Sequence, residues 1–462
     1  MTHENTQNTY LNRRDFLKVL GGATLAVGAL NACGDSAAKR TIARLSGNIT
    51  GDMTYRINPK NGDRISLLGY GCMRWALRRN RTGGEEIDQD IVNKLVDTAI
   101  EHGVNFFDTS PVYVQGWSET ATGIALSRHP RNSYYISTKL SNFDPSIQGF
   151  ERSKEMYYNS LRNLQVDYID YYLLHSIGDS RAFQNRYINN GILDFLKQEK
   201  AAGRIRSLGW SFHGEKEFFD YMLSLYDSGE FVWDFALIQL NYVDYRHASG
   251  RNVNAEYLND ELLKRGIPAM VMEPLLGGRL ASLNEYLTEQ LKRREPEASV
   301  ASWAFRFAGQ PSNVLTVLSG MTYAEHLMDN LATFSPLVPL TDEELALLEE
   351  TAQIMLKYPT VPCTTCQYCM PCPFGIDIPG VFSFYNRAVN AGNVPNSSQD
   401  EDYRRARRAF LVGYDRAVER LRQATHCITC GKCVPHCPQN IDIPSEMVRI
   451  DNFVEQLRQG SL

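Results

Sequence analysis

Cysteine is scarce over most of the chain, and the few cysteines present are concentrated near the C-terminus. Eight of the ten cysteines lie between residues 363 and 437, and the other two are Cys33 and Cys72. A disulfide framework would spread its cysteines through the fold, whereas short loops crowded with cysteine are typical of metal ligands. The distribution therefore favours a metal centre near the C-terminus over a disulfide-stabilised protein.

An excess of positive charge is also missing. Lys and Arg number 48 against 53 Asp and Glu, which gives a formal net charge of −5, and no basic stripe is interleaved with aromatic residues. A nucleic-acid partner is therefore not expected. With 43% hydrophobic and 22% charged residues, the composition is typical of a soluble globular protein. A length of 462 residues predicts two or three domains.

The N-terminal apolar run is too short to span a membrane. It covers residues 19–30 and includes three glycines, whereas a spanning helix needs about 20 apolar residues. The preceding "NRRDFLK", residues 12–18, resembles a twin-arginine (Tat) export signal, and a basic amphipathic helix is the alternative. We expect residues 1–33 to be a signal peptide read by the twin-arginine export machinery. The mature protein would then be periplasmic, or anchored to a membrane and facing the periplasm.

The end of the N-terminal segment contains a cysteine that could attach the protein to a membrane. The stretch "LNAC", residues 30–33, resembles a lipoprotein processing site, in which Cys33 would become a lipid anchor. A plain signal-peptidase cut nearby is the alternative. The following "GDSAAKR" is typical of a short flexible tether, and we assign residues 34–52 to a linker.

Short apolar runs alternate with helical periods over residues 53–338. After a first run that ends near Gly69, seven more occupy residues 104–110, 133–139, 168–175, 205–211, 235–241, 267–273 and 314–320. Near-continuous apolar strands separated by helices predict a parallel sheet, and eight of them predict an α/β fold of the (β/α)8 TIM barrel type. No G-x-G-x-x-G sequence follows any of these strands, which argues against a Rossmann fold.

Ionisable residues stand where three successive strands end. Asp108 ends the second strand with Tyr113 five residues on, Lys139 ends the third, and His175 ends the fourth. The carboxyl ends of the strands are where such barrels place their chemistry, although taken singly Lys139 could be a solvated loop residue and His175 a core residue. Together they suit proton transfer to an oxygen. An ammonium lowers the pKa of the tyrosine, the aspartate holds the lysine, and a neutral histidine orients a carbonyl.

Around these residues the chain resembles the aldo-keto reductases. The stretches that follow the family's order and spacing within residues 53–338 are "LGYGCMRW", "FDTSPVY", "YISTKL", "DYIDYYLLHS", "GRIRSLGWS", "MVMEPLLGG" and "SGMTYAEHLMDNL". The resemblance implies that Asp108, Tyr113, Lys139 and His175 form a catalytic tetrad, with Tyr113 as the general acid. It also implies NADP(H) extended across the strand ends. The implied contacts are Ser211 and Gln239 at the nicotinamide amide, Leu275 and Gly277 at the pyrophosphate, and Asn330 at the adenine.

Three residues depart from the family pattern. Met272 replaces an aromatic ring under the nicotinamide, Phe212 replaces an asparagine, and His326 replaces an arginine that grips the 2′-phosphate of NADP. A missing ring and a missing phosphate clamp both weaken nucleotide binding. The sequence thus leaves NADP, NAD and no nucleotide as alternatives.

A helix is predicted to link the barrel to a cysteine module. Residues 341–358 show an amphipathic pattern, with Thr341 as the N-cap and Glu344 three residues on, which is the signature of a capping box. We assign residues 339–358 to this link and residues 359–462 to a mostly helical, ferredoxin-like module.

The module contains one cysteine pattern twice. "CITCGKCVPHCP", from Cys427, has the bacterial ferredoxin spacing C-x2-C-x2-C-x3-C-P, and "CTTCQYCMPCP", from Cys363, has one residue fewer before its last cysteine. An "IDIP" sequence and a predicted helix follow each run, as expected of an internal duplication. The pattern predicts two 4Fe–4S clusters. Zinc, which needs two separated cysteine pairs around one ion, is the alternative.

The fourth cysteine of each run decides how the ligands are shared. In two-cluster ferredoxins it ligates the other cluster. That rule assigns Cys363, Cys366, Cys369 and Cys437 to a first cluster, and Cys427, Cys430, Cys433 and Cys372 to a second. Because the first run is one residue shorter, the alternative in which each run supplies all four ligands of its own cluster stays open. The helical insert of about 50 residues between the runs resembles the helical ferredoxin modules of respiratory enzymes.

These features together predict an exported iron–sulfur oxidoreductase. The barrel would interconvert a small carbonyl compound and an alcohol, and the clusters would relay electrons to or from a redox partner protein. Hydride transfer moves two electrons whereas each cluster moves one, and no flavin motif connects the two. The alternative is an electron-transfer or scaffold protein whose barrel keeps the tetrad but does not turn over.

Overall fold

The computed structural model describes residue 49 and residues 51–80, 83–250 and 252–462. The predicted signal peptide of residues 1–33, with Cys33, and most of the 34–52 linker lie outside the described residues. In the part of the chain that is described, no helix combines the length and the hydropathy needed to cross a membrane.

Eight parallel strands close into a barrel, as the strand pattern predicts. In chain order the strands are β1 Tyr55–Ile57, β2 Arg64–Ser66, β3 Leu68–Gly71, β4 Leu77–Arg79, β5 Glu85–Ile87, β6 Phe106–Asp108, β7 Tyr135–Leu140, β8 Ile169–Ile177, β9 Ile205–Phe212, β10 Ala236–Gln239, β11 Ala269–Met272 and β12 Val314–Ser319. Strand β3 and strands β6 to β12 follow one another around the barrel, and β12 closes it by pairing with β3. The pairs β1–β2 and β4–β5 are separate antiparallel hairpins.

Helices connect the barrel strands and build the C-terminal region. They are α1 Gln89–Glu101, α2 Ser118–Leu126, α3 Phe150–Leu164, α4 Ser180–Phe183, α5 Ile192–Ala201, α6 Lys216–Asp227, α7 Asp244–His247, α8 Ala255–Lys264, α9 Glu285–Arg294, α10 Val300–Gly309, α11 Ala324–Phe334, α12 Asp342–Met355, α13 Ile378–Asn390, α14 Tyr403–Ala417 and α15 Ile443–Gln459. Helix α12 is the predicted link. Its first turn is a capping box in which Thr341 and Glu344 satisfy each other's backbone N–H groups.

Apolar side chains fill the barrel from alternate positions of its strands, which is how small parallel barrels exclude water. Phe106, Tyr171 and Phe235 are fully buried there. The β1–β2 hairpin closes the amino-terminal end, because Ile65 packs into the same cluster. The opposite end, where the strands finish, holds the polar residues.

The C-terminal module packs around a core of its own. Helices α13, α14 and α15 bury Phe382, Phe410 and Met447, and the cysteine loops lie against this core. The two "IDIP" sequences take the same role, since Asp377 caps α13 and Asp442 caps α15, each followed by proline in the first turn. This equivalence supports an internal duplication.

The barrel and the module belong to one compact unit, Ile49–Leu462. The module lies over the carboxyl ends of the barrel strands. The hydrogen bonds that join them there include Gln439 Nε2 to Gln239 Oε1 at 3.0 Å, Arg74 Nη2 to the Thr364 carbonyl at 2.7 Å, and Asn390 Nδ2 to the Ser282 carbonyl at 2.8 Å.

Candidate active site

A buried ion pair lies at the carboxyl ends of β6 and β7. The Lys139 ammonium donates to both carboxylate oxygens of Asp108, at 2.7 and 2.6 Å, and to the Thr109 carbonyl at 2.7 Å. Both side chains are at most 5% exposed. Burial lowers the pKa of Lys139, and the Asp108 carboxylate opposes that shift. A buried pair is tolerated because every hydrogen of the ammonium has an acceptor.

Tyr113 stands beside this pair in the turn that follows β6. Its ring centroid is 4.9 Å from the Lys139 nitrogen, and its ring meets His175 edge to face at 5.9 Å. Burial raises the pKa of Tyr113 well above its usual value, and the neighbouring Tyr368 and Asp108 raise it further. The lowering expected from the Lys139 ammonium is therefore wrong. Desolvation outweighs that charge, which Asp108 already neutralises. Tyr113 keeps its proton, as a general acid must.

His175 is neutral, as expected for a residue that orients a carbonyl. Burial, and then the Lys139 and Arg186 charges, hold the pKa of His175 well below its usual value. One ring nitrogen, Nδ1, lies 2.5 Å from the Ser141 hydroxyl. The other, Nε2, lies 3.1 Å from the phenol oxygen of Tyr368, a residue of the cysteine module.

Sequence reasoning missed Tyr368 as a site residue. It lies inside the "CQYC" of the first cysteine run, between Cys366 and Cys369. Its hydroxyl interacts with that of Tyr113 as well as with His175. A single aromatic residue between two cysteines matches no sequence motif that would mark it as a site residue. Only the placement of the module on the barrel reveals the contact.

The tetrad faces a cavity of about 630 Å³. All four members line it, together with Arg74, Cys366, Tyr368 and Pro438. Because Cys366 and Pro438 belong to the cysteine module, the cavity is bounded by both parts of the protein. The tetrad and the first cysteine run thus border the same cavity.

The eight C-terminal cysteines fall into two neighbouring sets. Cys363, Cys366, Cys369 and Cys437 line one small space. Cys433 is electrostatically coupled to Cys427, Cys430 and Cys372. The fourth cysteine of each run therefore lies with the other run, as in the crossed arrangement.

These thiols suit iron–sulfur clusters in their chemistry. Burial raises the pKa of Cys363 to about 11 and that of Cys366 to about 12. Such thiols stay protonated unless a metal displaces the proton. All eight C-terminal cysteines are free thiols, with no disulfide between them. Six of them line a larger cavity of about 930 Å³.

Comparison with known proteins accounts for both parts. A family model described as "Aldo/keto reductase family" matches residues 67–353. The chain belongs to the aldo/keto reductase family. A second model, described as "4Fe-4S dicluster domain", matches residues 362–441, so the aldo/keto reductase barrel is followed by an iron–sulfur module.

Two similar proteins match most of their own length to part of this chain. The chain is 29% identical over 297 residues to an aldo-keto reductase from Mycobacterium sp. (strain MCS), covering 63% of this chain and 89% of that protein. It is 23% identical over 336 residues to the NADH-specific methylglyoxal reductase of Escherichia coli (strain K12), covering 63% and 96%. These alignments span nearly the full length of both relatives and leave over a third of this chain unmatched.

Solved structures show the same fold. An aldo-keto reductase from Bacillus halodurans in its holo form aligns with a TM-score of 0.50 and 23% identity, over 64% of this chain and 96% of that one. An aldo/keto reductase from Klebsiella pneumoniae in complex with NADP and acetate aligns with a TM-score of 0.50 and 21% identity, over 65% and 95%. At these identities the likeness is one of fold.

Four of the five nucleotide positions implied by the aldo/keto reductase resemblance line the cavity: Ser211, Leu275, Gly277 and Asn330. Gln239 does not. Its amide binds the Asp244 carboxylate and accepts a hydrogen bond from Gln439. This side chain joins the barrel to the iron–sulfur module, and its assignment to the nicotinamide stays a prediction.

Gly277 shows how closely the module covers this part of the aldo/keto reductase site. A Cβ atom at position 277 would lie 2.3 Å from the Thr364 Cα, well inside van der Waals contact. The Gly277 φ of +68° also favours glycine. The main chain of the first cysteine run thus rests directly on the loop implied to hold the pyrophosphate.

The three departures from the aldo/keto reductase pattern lie in different surroundings. Met272 and His326 line the cavity, so both could touch a nucleotide. Burial lowers the pKa of His326, which leaves the ring neutral. Phe212 packs against Trp210 of the same strand and Phe219 of α6.

Proposed function

We propose that this protein is an exported iron–sulfur oxidoreductase that interconverts a carbonyl compound and an alcohol. The observation that supports this function best is the shared cavity. It is lined by the complete tetrad and by Cys366 of the first cysteine set. A side chain that would bind a cluster thus borders the space in which the substrate would react. The substrate would be a small molecule, since the cavity holds about 630 Å³.

The chain's own residues would supply proton transfer and orientation. Tyr113 would donate its proton to the carbonyl oxygen, and His175 would orient that oxygen through Nε2. The Asp108–Lys139 pair would fix the surroundings of Tyr113. Where bound, a nicotinamide nucleotide supplies hydride to the carbonyl carbon, and a 4Fe–4S cluster exchanges single electrons.

A nucleotide would bind along Ser211, Leu275, Gly277 and Asn330. We propose NAD(H) over NADP(H), because the neutral His326 offers no fixed charge to a 2′-phosphate. The name of the Escherichia coli relative, an NADH-specific reductase, agrees with this preference.

The two cysteine sets would hold two 4Fe–4S clusters, with Cys437 on the first and Cys372 on the second. The second set contains Cys430, which is exposed. It would therefore face a redox partner protein, while the first set faces the cavity.

Cell fractionation with analysis of bound molecules tests the function. The export part predicts that the protein is found in the periplasmic or membrane fraction, and lipid labelling there would depend on Cys33. The catalytic part predicts that denaturation releases a nicotinamide nucleotide, and that the intact protein with this nucleotide reduced converts an aldehyde to the alcohol. Protein confined to the cytoplasm would contradict export, and the absence of both nucleotide and turnover would contradict the enzyme.

A second function is favoured by one contact. Because Tyr368 occupies His175 Nε2 and interacts with Tyr113, the tetrad is engaged by the protein itself. That arrangement suits an electron-transfer or scaffold protein with an inactive barrel. Aldehyde turnover that depends on Tyr113 would rule it out.

Paired cysteine substitutions test the crossed ligand sets. The intact protein is expected to contain about eight iron and eight sulfide per chain. In the crossed arrangement the double variant Cys363→Ser/Cys437→Ser loses two ligands of the same cluster. About four iron atoms per chain should then remain, in the other cluster. Cys363→Ser with Cys372→Ser then damages both clusters and should leave almost none.

The opposite result for these two pairs would show that the sets do not cross. Zinc in place of iron would end the redox interpretation. Circular dichroism of each variant controls for loss of the fold, and iron and sulfide are measured on the same samples.

A further inference from the structure

Tyr368 reaches from the iron–sulfur module into the aldo/keto reductase cavity. Its phenol oxygen lies 3.1 Å from Nε2 of His175 and interacts with the Tyr113 hydroxyl. Its ring packs against Phe143, with ring centroids 5.9 Å apart. The module therefore supplies a side chain that touches two members of the tetrad.

The Tyr368 oxygen stands where the oxygen of a carbonyl substrate would bind. Protonation requires that oxygen to lie within hydrogen-bond reach of Tyr113. Orientation requires Nε2 of His175, because Nδ1 is occupied by Ser141. A neutral imidazole nitrogen either donates one hydrogen or accepts one. In either tautomer, Nε2 cannot serve the phenol and a substrate at the same time.

The main chain around Tyr368 is held against the barrel. Arg74 donates to the Thr364 carbonyl at 2.7 Å and to the Thr365 hydroxyl at 3.0 Å, and Thr364 rests on Gly277. With its backbone held, the phenol leaves His175 by rotation of the side chain. The adjoining cavity of about 630 Å³ has room for that movement.

We propose that Tyr368 is a specificity-determining residue whose hydroxyl occupies the substrate-oxygen position, so that a substrate binds only by displacing it. This inference rests on the proposed carbonyl chemistry. A ligand must then offer an oxygen that accepts hydrogen bonds better than a phenol does. Carbonyl and carboxylate oxygens meet that condition.

Tyr368→Phe tests the proposal because it keeps the ring and removes the competing oxygen. Benzoate serves as a carboxylate probe, with its Kd measured by calorimetry on the cluster-loaded protein. Loss of one competing hydrogen bond is expected to tighten benzoate binding about fivefold. The KM for 4-nitrobenzaldehyde should fall by a similar factor while kcat stays unchanged. Benzoate binding that is unchanged or weaker, or a fall in kcat, would overturn the proposal.

Tyr358→Phe is the matched control. Tyr358 precedes the first cysteine run and is 36% exposed, so removing its hydroxyl should leave the benzoate Kd and the KM unchanged. Iron content and the EPR spectrum of the reduced clusters show whether Tyr368→Phe has disturbed the module.

A crystal structure of the unsubstituted protein with benzoate tests the same point without any substitution. The Tyr368 oxygen should then lie beyond hydrogen-bond distance of His175 Nε2, with a benzoate oxygen in its place. Benzoate bound in the cavity with the phenol still on His175 would overturn the proposal, as would the absence of any bound benzoate.

Failure of the proposed function has a different signature. If Tyr113→Phe keeps full aldehyde reduction, the carbonyl chemistry fails regardless of benzoate binding. If Tyr113→Phe is inactive but Tyr368→Phe binds benzoate no more tightly, only the role of Tyr368 fails.

Discussion

Tyr113→Phe is expected to lower kcat/KM for aldehyde reduction by about 10²–10⁴-fold, the usual contribution of a positioned general acid. Burial raises the pKa of Tyr113, so its proton is present at neutral pH and is available to the carbonyl oxygen. Phenylalanine keeps the ring and its packing on His175 but has no proton to give. The rate is measured in single turnovers at several concentrations of 4-nitrobenzaldehyde, by oxidation of the reduced nucleotide bound to the protein.

Tyr172→Phe is the matched control for this loss. Tyr172 is fully buried on β8, and its hydroxyl has no hydrogen-bond partner. Removing that hydroxyl should leave both the rate and the stability unchanged. Full activity of Tyr113→Phe would mean that aldehyde reduction does not use the tetrad, which would contradict Tyr113 as the general acid.

Asp108→Ala is expected to destabilise the protein by about 3–5 kcal/mol, the typical result of leaving one buried charge without its partner. Two of the three hydrogen bonds of the Lys139 ammonium go to Asp108, and only the Thr109 carbonyl would remain. Urea denaturation followed by tryptophan fluorescence measures the change in the unfolding free energy.

The double substitution Asp108→Ala with Lys139→Met separates the charge from the packing. Methionine fills most of the lysine volume without an ammonium, so the double variant should be more stable than Asp108→Ala alone. A single variant that loses less than about 1 kcal/mol would show that water reaches Lys139. Both variants should lack aldehyde reduction.

The tetrad could be predicted because parallel strands bring their carboxyl ends to one face of a barrel. Asp108, Lys139 and His175 lie at or near the carboxyl ends of adjacent strands, so their side chains are close together whatever the conformation of the loops. The direction in which the Tyr113 pKa shifts could not be predicted in this way. It depends on how deeply the ring is buried and on whether Asp108 neutralises Lys139, and both are tertiary properties.

The contacts of Gln239 and Tyr368 could not be predicted either, because they depend on how the module lies on the barrel. The spacing of the cysteines predicts a module with two clusters, but spacing says nothing about where the module lies. Its docking over the strand ends turns Gln239 towards Gln439 and brings Tyr368 onto His175. Contacts between the barrel and the module depend on surfaces that no local pattern in the chain describes.

The contact of Thr364 with Gly277 has a consequence for how the protein would keep a nucleotide. The cysteine run lies on the proposed pyrophosphate loop and is tied there by Arg74, so a nucleotide beneath it would be enclosed. Such a molecule would exchange slowly and behave as a prosthetic group, not as a coenzyme drawn from the surroundings. For an exported protein, this means that the nucleotide would travel with the folded chain, and that its hydride would have to be returned in the same cavity by oxidation of a second, alcohol substrate.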